Sequence, residues 1–372
     1  MPSQMTNYQC PACTGPLHFD GATGRLRCDY CGSEFSVQEI EALYNEKLEQ
    51  SAQAAVQQAE KEEQTAAQQV PGGEDPAWEM EQAGMKAYNC PSCGAELICD
   101  STTAATSCPY CGNPTVLPGQ FHGMLKPDFI LPFKLDKEAA KRALRDFYKG
   151  KKLLPRAFSN ENHIEEIKGV YVPFWLFDGQ GDADIRFKAT NVRSYREGDY
   201  QVTVTDFYDL RRAGTVNFSR IPVDGSRKMP DAHMDAIEPF DYSELKPFST
   251  AYMPGFLAER YDVDANECAE RAKLRATNTT EQMIASTATG YATCSPVAKQ
   301  VRLRQGGVRY VMLPVWLLST RWNGKSFLFA MNGQTGKLIG DLPVSKGRYW
   351  GWFGGIAGSL AAILTAALLL FF

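Results

Sequence analysis

The tightest constraint on this chain is a cysteine spacing that occurs twice. Tyr8-Gln-Cys10-Pro-Ala-Cys13 is followed, after fourteen residues, by Cys28-Asp-Tyr-Cys31-Gly. Tyr88-Asn-Cys90-Pro-Ser-Cys93 is followed, again after fourteen, by Cys108-Pro-Tyr-Cys111-Gly. The copies align at an offset of 80 without a gap, and Leu17 matches Leu97. Each C-x2-C turn aims two thiolates at one point, and the short hairpin between the pairs brings four into a tetrahedron. So small a module has little apolar core of its own, so the ion supplies its stability, on the order of 10–16 kcal/mol. Two zinc ions are expected: one on Cys10, Cys13, Cys28 and Cys31, the other on Cys90, Cys93, Cys108 and Cys111. Iron in a four-sulfur site fits the same spacing, so spacing leaves the choice of metal open. Cys108-Pro-Tyr-Cys111 also has the form of a redox tetrapeptide. No βαβ unit surrounds it to depress a thiol pKa, however, and the pair at Cys90 and Cys93 accounts for it better. Cys99, Cys268 and Cys294 have no partner at ligand spacing and read as small apolar residues. His18, His122, His163 and His233 make no ligand set.

The far end of the chain imposes a second constraint. Gly351 to Phe372 is a run of 22 uncharged residues, rich in Leu, Ala, Ile and Phe. As a helix it would reach roughly 33 Å, enough for a hydrocarbon layer of about 30 Å. Tyr349, Trp350 and Trp352 stand at one end and Phe371 and Phe372 at the other, as in an aromatic belt; Lys346 and Arg348 precede it. The expectation is a single C-terminal membrane span over 348–372, with the bulk of the chain on the cytoplasmic side. Gly351 with Gly355, and Gly354 with Gly358, lie four apart, the spacing of a helix–helix seam, which suggests a homodimer there.

Charge divides the chain. Up to Leu125 there are 5 Lys and Arg against 16 Asp and Glu, and in the remainder 34 against 27. Modules gripping nucleic-acid phosphates need the opposite sign at the cysteine-bearing end, so the charge argues against a nucleic-acid ligand. The mildly basic remainder suits an anionic membrane surface.

Domain organisation follows from composition. A ribbon over 1–35 leads into a Glu-, Gln- and Ala-rich helical linker over 36–70, with an apolar stripe at Val37, Ile40, Tyr44 and Leu48. Pro71-Gly-Gly73 ends it, and Asp75-Pro76 opens a short helix to about Ala87 within a linker over 71–87. The second ribbon occupies 88–118. An α+β region over 125–344 looks duplicated, Val172-Pro-Phe-Trp175-Leu-Phe177 matching Leu313-Pro-Val-Trp316-Leu-Leu318. Helices capped by Asp136 and Asp264 precede these segments. The turn signals Asp178-Gly-Gln-Gly181 and Asn323-Gly324 follow them, predicting two strand–helix–hairpin halves. A further strand pair is expected at 200–210 and 214–222, and a tight turn at Asn332-Gly-Gln-Thr-Gly336. Trp175 and Trp316 read as core. The fold class is therefore α+β: two four-cysteine ribbons, a helical linker, a duplicated domain and a terminal membrane helix.

The twin ribbons, the 172–178 segment, Glu238-Pro-Phe-Asp241, the stretch Phe327 to Gly336 and Gly340-Asp-Leu-Pro343 together resemble one bacterial family. These are the membrane-anchored zinc-ribbon proteins of transcription-factor-IIB type, some members of which resemble companions of phage-shock PspA-type and SPFH/flotillin-like proteins. The resemblance covers most of 86–372. It implies the bacterial inner membrane, PspA-type or SPFH-type partners, and a role in envelope-stress membrane maintenance.

No Walker loop, G-x-S-x-G, H-E-x-x-H or dinucleotide fingerprint is present. Asp178, Asp182 and Asp184 form an acidic cluster that reads as solvated. Lys141, Arg142, Arg145, Lys149, Lys151, Lys152 and Arg156 form a basic run on and after the first helix, which reads as a solvated face or, more sharply, as a contact for anionic headgroups. The sequence thus points to a non-enzymatic, zinc-binding, tail-anchored adaptor that recruits cytoplasmic proteins; the alternative is a membrane-tethered nucleic-acid-binding regulator.

Overall fold

A computed structural model describes residues 8–44, 85–89, 96–100, 103–107, 114–116, 125–155, 158, 167–323 and 325–371. The N-terminal ribbon is a three-stranded antiparallel sheet of β1 (Leu17–Asp20), β2 (Arg25–Cys28) and β3 (Glu34–Phe35). Helix α1 then begins, and its described residues are 37–44. Its start is a reciprocal capping box: Glu39 N–H donates to Ser36 Oγ, and Ser36 N–H to the Glu39 carboxylate. The rest of the expected linker helix lies outside the described residues. So does most of the short helix expected up to Ala87, whose last residues are instead strand, in β4 (Met85–Asn89). β4 pairs with β5 (Glu96–Asp100), and β6 (Thr103–Ser107) with β7 (Pro114–Val116).

The rest builds around two strands of 30 residues each. β8 (Phe129–Ile130) leads to α2 (Lys137–Tyr148), then β9 (Lys168–Glu197) and β10 (Tyr200–Asp224). Next come α3 (Asp231–Ala236), β11 (Lys246–Pro247), β12 (Leu257–Glu259) and α4 (Ala265–Ala285). β13 (Thr293–Trp322), β14 (Lys325–Asn332), β15 (Leu338–Gly340) and α5 (Lys346–Phe371) follow. β9 and β13 pair antiparallel along Lys168–Thr190 and Thr293–Leu317. The short strands cross over: β8 of the first half runs parallel to β13, and β12 of the second half parallel to β9. Each tryptophan follows the same exchange. Trp175 Nε1–H donates to Val263 O at 2.9 Å, and Trp316 Nε1–H to Leu135 O at 3.1 Å. Both acceptors sit one residue before the aspartate that caps a helix, Asp264 and Asp136, each of which accepts from an N–H three residues on. The halves are thus locked into one another. β6 pairs with β12, which carries β6 and β7 into the same ten-stranded sheet, whereas β4 and β5 form a two-stranded sheet of their own.

Burial explains the sequence runs. Gly169 to Phe177 is buried at every position, because that part of β9 is covered on both faces. Tyr171, Trp175 and Phe177 join Tyr310, Met312 and Trp316 on one side, with Ala140 and Leu144 of α2. Val170, Val172, Phe174 and Leu176 join Val311, Leu313 and Val315 on the other, under Met234 and Ile237. Farther along, only one face is covered, by α4, and β9 alternates: Ala183, Ile185 and Phe187 are buried with Ile284.

Three expectations are corrected here. Asp178-Gly-Gln-Gly181 is not a turn, because β9 runs straight through it. Its glycines serve close approach instead: a Cβ at Gly179 would lie 2.9 Å from Arg304 O, and one at Gly181 2.5 Å from Thr280 Oγ1. The expected strand pair at 200–210 and 214–222 is one strand, β10, paired to β9 except for an irregularity between Phe218 and Ile221. Finally, the membrane helix is not supported: among the described residues no helix is long and apolar enough to cross a membrane. The early part of α5 alternates Tyr349, Trp350 and Trp352 with Gly351, Gly354, Gly355 and Gly358, residues that gain little on transfer to hydrocarbon. Its Leu-rich end, 367–372, lies outside the described side chains. The readings built on that span fall with it: the tail anchor, the single-pass inner-membrane location, the cytoplasmic orientation, the glycine dimer seam, and the PspA-type or SPFH-type partners met at a bilayer.

Candidate metal centre

Two turns of the same build carry the first four cysteines. In one, Thr14 N–H donates to Cys10 O at 2.8 Å and Cys10 N–H to Gly15 O at 2.7 Å. In the other, Gly32 N–H donates to Cys28 O and Cys28 N–H to Ser33 O, both at 2.9 Å. The residue after each second cysteine takes the left-handed conformation, with φ 59° at Thr14 and 72° at Gly32. Gly32 adopts it freely, whereas threonine is strained there.

These turns face each other across β1 and β2. Cys10 Sγ lies 3.6 Å from Cys31 Sγ, and Cys13 Sγ 3.4 Å from Cys28 Sγ. All four sulfurs lie within 4.8 Å of one another. Sulfurs held tetrahedrally at about 2.3 Å from an ion would be about 3.8 Å apart, so the set can hold one metal ion. Cys10 and Cys28 are buried, Cys13 and Cys31 exposed. Hydrogen bonding with Ser33 pulls the Cys31 thiol down to about 6. At Cys13 a backbone hydrogen bond at Gly15 is outweighed by the neighbouring sulfurs of Cys31 and Cys28, which push its thiol up to about 12. Four sulfurs this close do not all ionise without a cation among them. Ser33 and Thr14 were missed in the sequence. The available signal was position: the first and second residues after each C-x2-C. Cys90, Cys93, Cys108 and Cys111 lie outside the described residues.

The ribbon does not stand apart from the sheet. Tyr8, Leu17, Phe19, Leu26, Val37 and Ile40 are buried in one core with Phe133, Tyr171 and Trp316. Phe19 N–H donates to Pro254 O at 3.0 Å, Phe19 meets Tyr252 edge-on at 5.2 Å, and the Tyr8 hydroxyl lies 2.5 Å from Thr250 Oγ1. At Gly21 the two backbones come so close that a Cβ would sit 2.1 Å from Phe133 O. Opposite this seam, Phe133 stacks on Phe256 at 4.0 Å and meets Trp316 edge-on at 5.2 Å.

The other singled-out groups are engaged. Asp182 accepts from Thr215 Oγ1 and Arg304, Asp184 from Arg211, and Asp178 from Arg220 N–H, so the three carboxylates do not converge. In the basic run, Lys141 is buried beside Glu138, Lys149 pairs with Asp146, and Lys152 lies 4.3 Å from the Trp352 ring. Cys268 is buried, its sulfur 3.5 Å from Asp224 O, and burial pushes its thiol up to about 12. Around it, Arg271 pairs with Asp224, Asp231 and Asp235, and Arg275 with Asp235 and Glu238, fastening α4 to α3. Burial outweighs these cations at Asp224 and Glu238 and holds both carboxyls above their usual range.

Fold and site together define an α+β protein in which a four-cysteine ribbon is packed onto a large mixed sheet. Over 320 residues the chain is 35% identical to the uncharacterized protein YdjG of Bacillus subtilis, an alignment spanning 73% of this chain and 94% of that protein. The chain belongs to the YdjG family. No family model matches it, and no solved structure does.

Proposed function

We propose that this protein is a non-enzymatic protein-binding scaffold whose ribbons are set by zinc. One ion belongs on Cys10, Cys13, Cys28 and Cys31, the second on Cys90, Cys93, Cys108 and Cys111. The observation that carries the reading is the closed thiol set. Four protein ligands fill a tetrahedral ion's coordination and leave no position for a substrate, so the ion organises chain rather than chemistry. The packing of that ribbon into the sheet core supports a structural role. Over residues 8–44 the first ribbon and the start of α1 carry five carboxylates (Asp20, Asp29, Glu34, Glu39 and Glu41) against Arg25 and Arg27, which favours a protein ligand over nucleic acid.

The test compares the full chain with its Cys10→Ser/Cys13→Ser variant, each affinity-purified from cells of the source organism and examined by quantitative mass spectrometry. The reading predicts a defined protein set that is recovered with the native chain, resists nuclease and is lost with the variant. Material that nuclease removes would favour a nucleic-acid regulator. Identical recovery by both chains would take the ribbon out of partner recognition.

A further inference from the structure

We propose that β10 is the seam of a homodimer. A second copy of this chain adds its own β10 antiparallel, with Leu210 opposite Leu210 on the two-fold axis. The inference does not depend on the metal reading.

β10 is 25 residues long and has β9 on one side; among the described residues no strand lies on its other side. A bare edge of that length is a template for another strand. It also carries apolar side chains in water: Phe207 is 81% and Tyr200 79% exposed.

The charges say which strand fits. Backbone N–H and C=O groups alternate in direction along a strand, so in an antiparallel pair an outward-pointing residue must face another outward-pointing residue. For a strand pairing with its own copy, only opposed residues whose numbers sum to an even value are then allowed. Between Tyr200 and Phe218 the charged residues are Asp206, Asp209, Arg211 and Arg212. Two allowed registers set an acid opposite a base. One, centred on residue 209, also stacks Asp209 on Asp209. The other, centred on Leu210, sets Asp209 of each copy opposite Arg211 of the other, twice, with no like charges opposed.

That register resolves what the single chain leaves strained. On the outward face Arg211 stands directly opposite Arg186 of β9. Arg186 reaches diagonally to Asp209 at 3.0 Å and Arg211 to Asp184 at 2.5 Å, so each arginine shares a row with a like charge. A second copy brings its Asp209 to the open side of Arg211. The same register covers Phe207 with Ala213 and sets Val204 opposite Val216 and Val202 opposite Phe218. Each of these pairings follows from the one centre.

The test uses the full chain, sized by light scattering and sedimentation. The native chain should be a dimer. Asp209→Arg and Arg211→Asp, both at exposed positions, should each raise the dissociation constant about tenfold or more, since each 1.4 kcal/mol is a factor of ten. The double swap, or a mixture of the two single variants, should restore the dimer, because opposite charges again face each other. Leu210→Cys should cross-link under mild oxidation, since directly opposed residues lie about 4.5–5.5 Å apart, within disulfide reach. Tyr208→Cys should not, its mate lying about 13 Å along the strand. The parent chain run alongside accounts for its own thiols. A monomeric native chain overturns the proposal. So does a dimer that survives both single changes without the Leu210→Cys cross-link.

Discussion

Replacing Gly21 with alanine tests whether the ribbon is truly packed on the sheet, because the sign of the effect depends on it. Gly21 does not have a positive φ, so nothing in its own backbone forbids a side chain. On a free ribbon the change would reduce the freedom of the unfolded chain and stabilise by about 0.4–1 kcal/mol. On the packed ribbon the new Cβ meets Phe133 O at 2.1 Å and Phe133 C at 2.7 Å, both backbone atoms. Real Cβ contacts stay beyond about 3 Å, so the seam must open by roughly 1 Å, and a gap of that size forfeits a quarter to a half of each contact's dispersion energy. Overpacking of this kind costs about 1–3 kcal/mol. With the ribbon sharing the domain's core, scanning calorimetry should show one transition lowered by about 3–10 °C. Zinc content should stay unchanged, since the four sulfurs do not touch Gly21. An alanine variant as stable as the parent, or more stable, would refute the packing.

Two further expectations concern the sheet. Asn332 is fully buried, donates to Ile237 O and Pro239 O, and accepts from Gln334 N–H and Thr335 N–H. Asn332→Ala strands four backbone groups and should cost roughly 3 kcal/mol in urea unfolding, whereas a loss under about 1 kcal/mol would contradict the network. Asp224 has its folded pKa raised, so its contribution is fully present below the unfolded value and is lost as pH rises through the folded value. The stability of the native chain relative to Asp224→Asn should therefore fall as pH rises above the ordinary aspartate range of about 4, and a difference that rises with pH would reverse the assignment.

The cysteine spacing was legible because a metal site is local chemistry: two turns and a hairpin are enough to read it. The helix caps at Asp136 and Asp264 were legible for the same reason. What failed was the reading of glycine. At Asp178-Gly-Gln-Gly181 two glycines looked like a turn, yet they let β13 and α4 approach, a tertiary demand with no local sign. The better signal lay just downstream. Ala183, Ile185, Phe187 and Ala189 alternate with Asp182, Asp184, Arg186 and Lys188, a period-two pattern that argues for one continuous strand. The crossing of β8 onto β13 and of β12 onto β9 was out of reach, because nothing local records which distant strand a short apolar segment pairs with. Nor does the sequence mark Gly21, whose role depends on a backbone more than a hundred residues away. The C-terminal expectation gave the absence of charge too much weight and the glycines and aromatics of α5 too little.

The account rests most directly on the ion at the first ribbon, and X-ray absorption with elemental analysis on the full chain addresses it. The account predicts two zinc ions per chain, each ringed by four sulfurs at about 2.3 Å, falling to one in the Cys10→Ser/Cys13→Ser variant. Zinc bound through nitrogen or oxygen, or a metal count that the variant leaves unchanged, would contradict it.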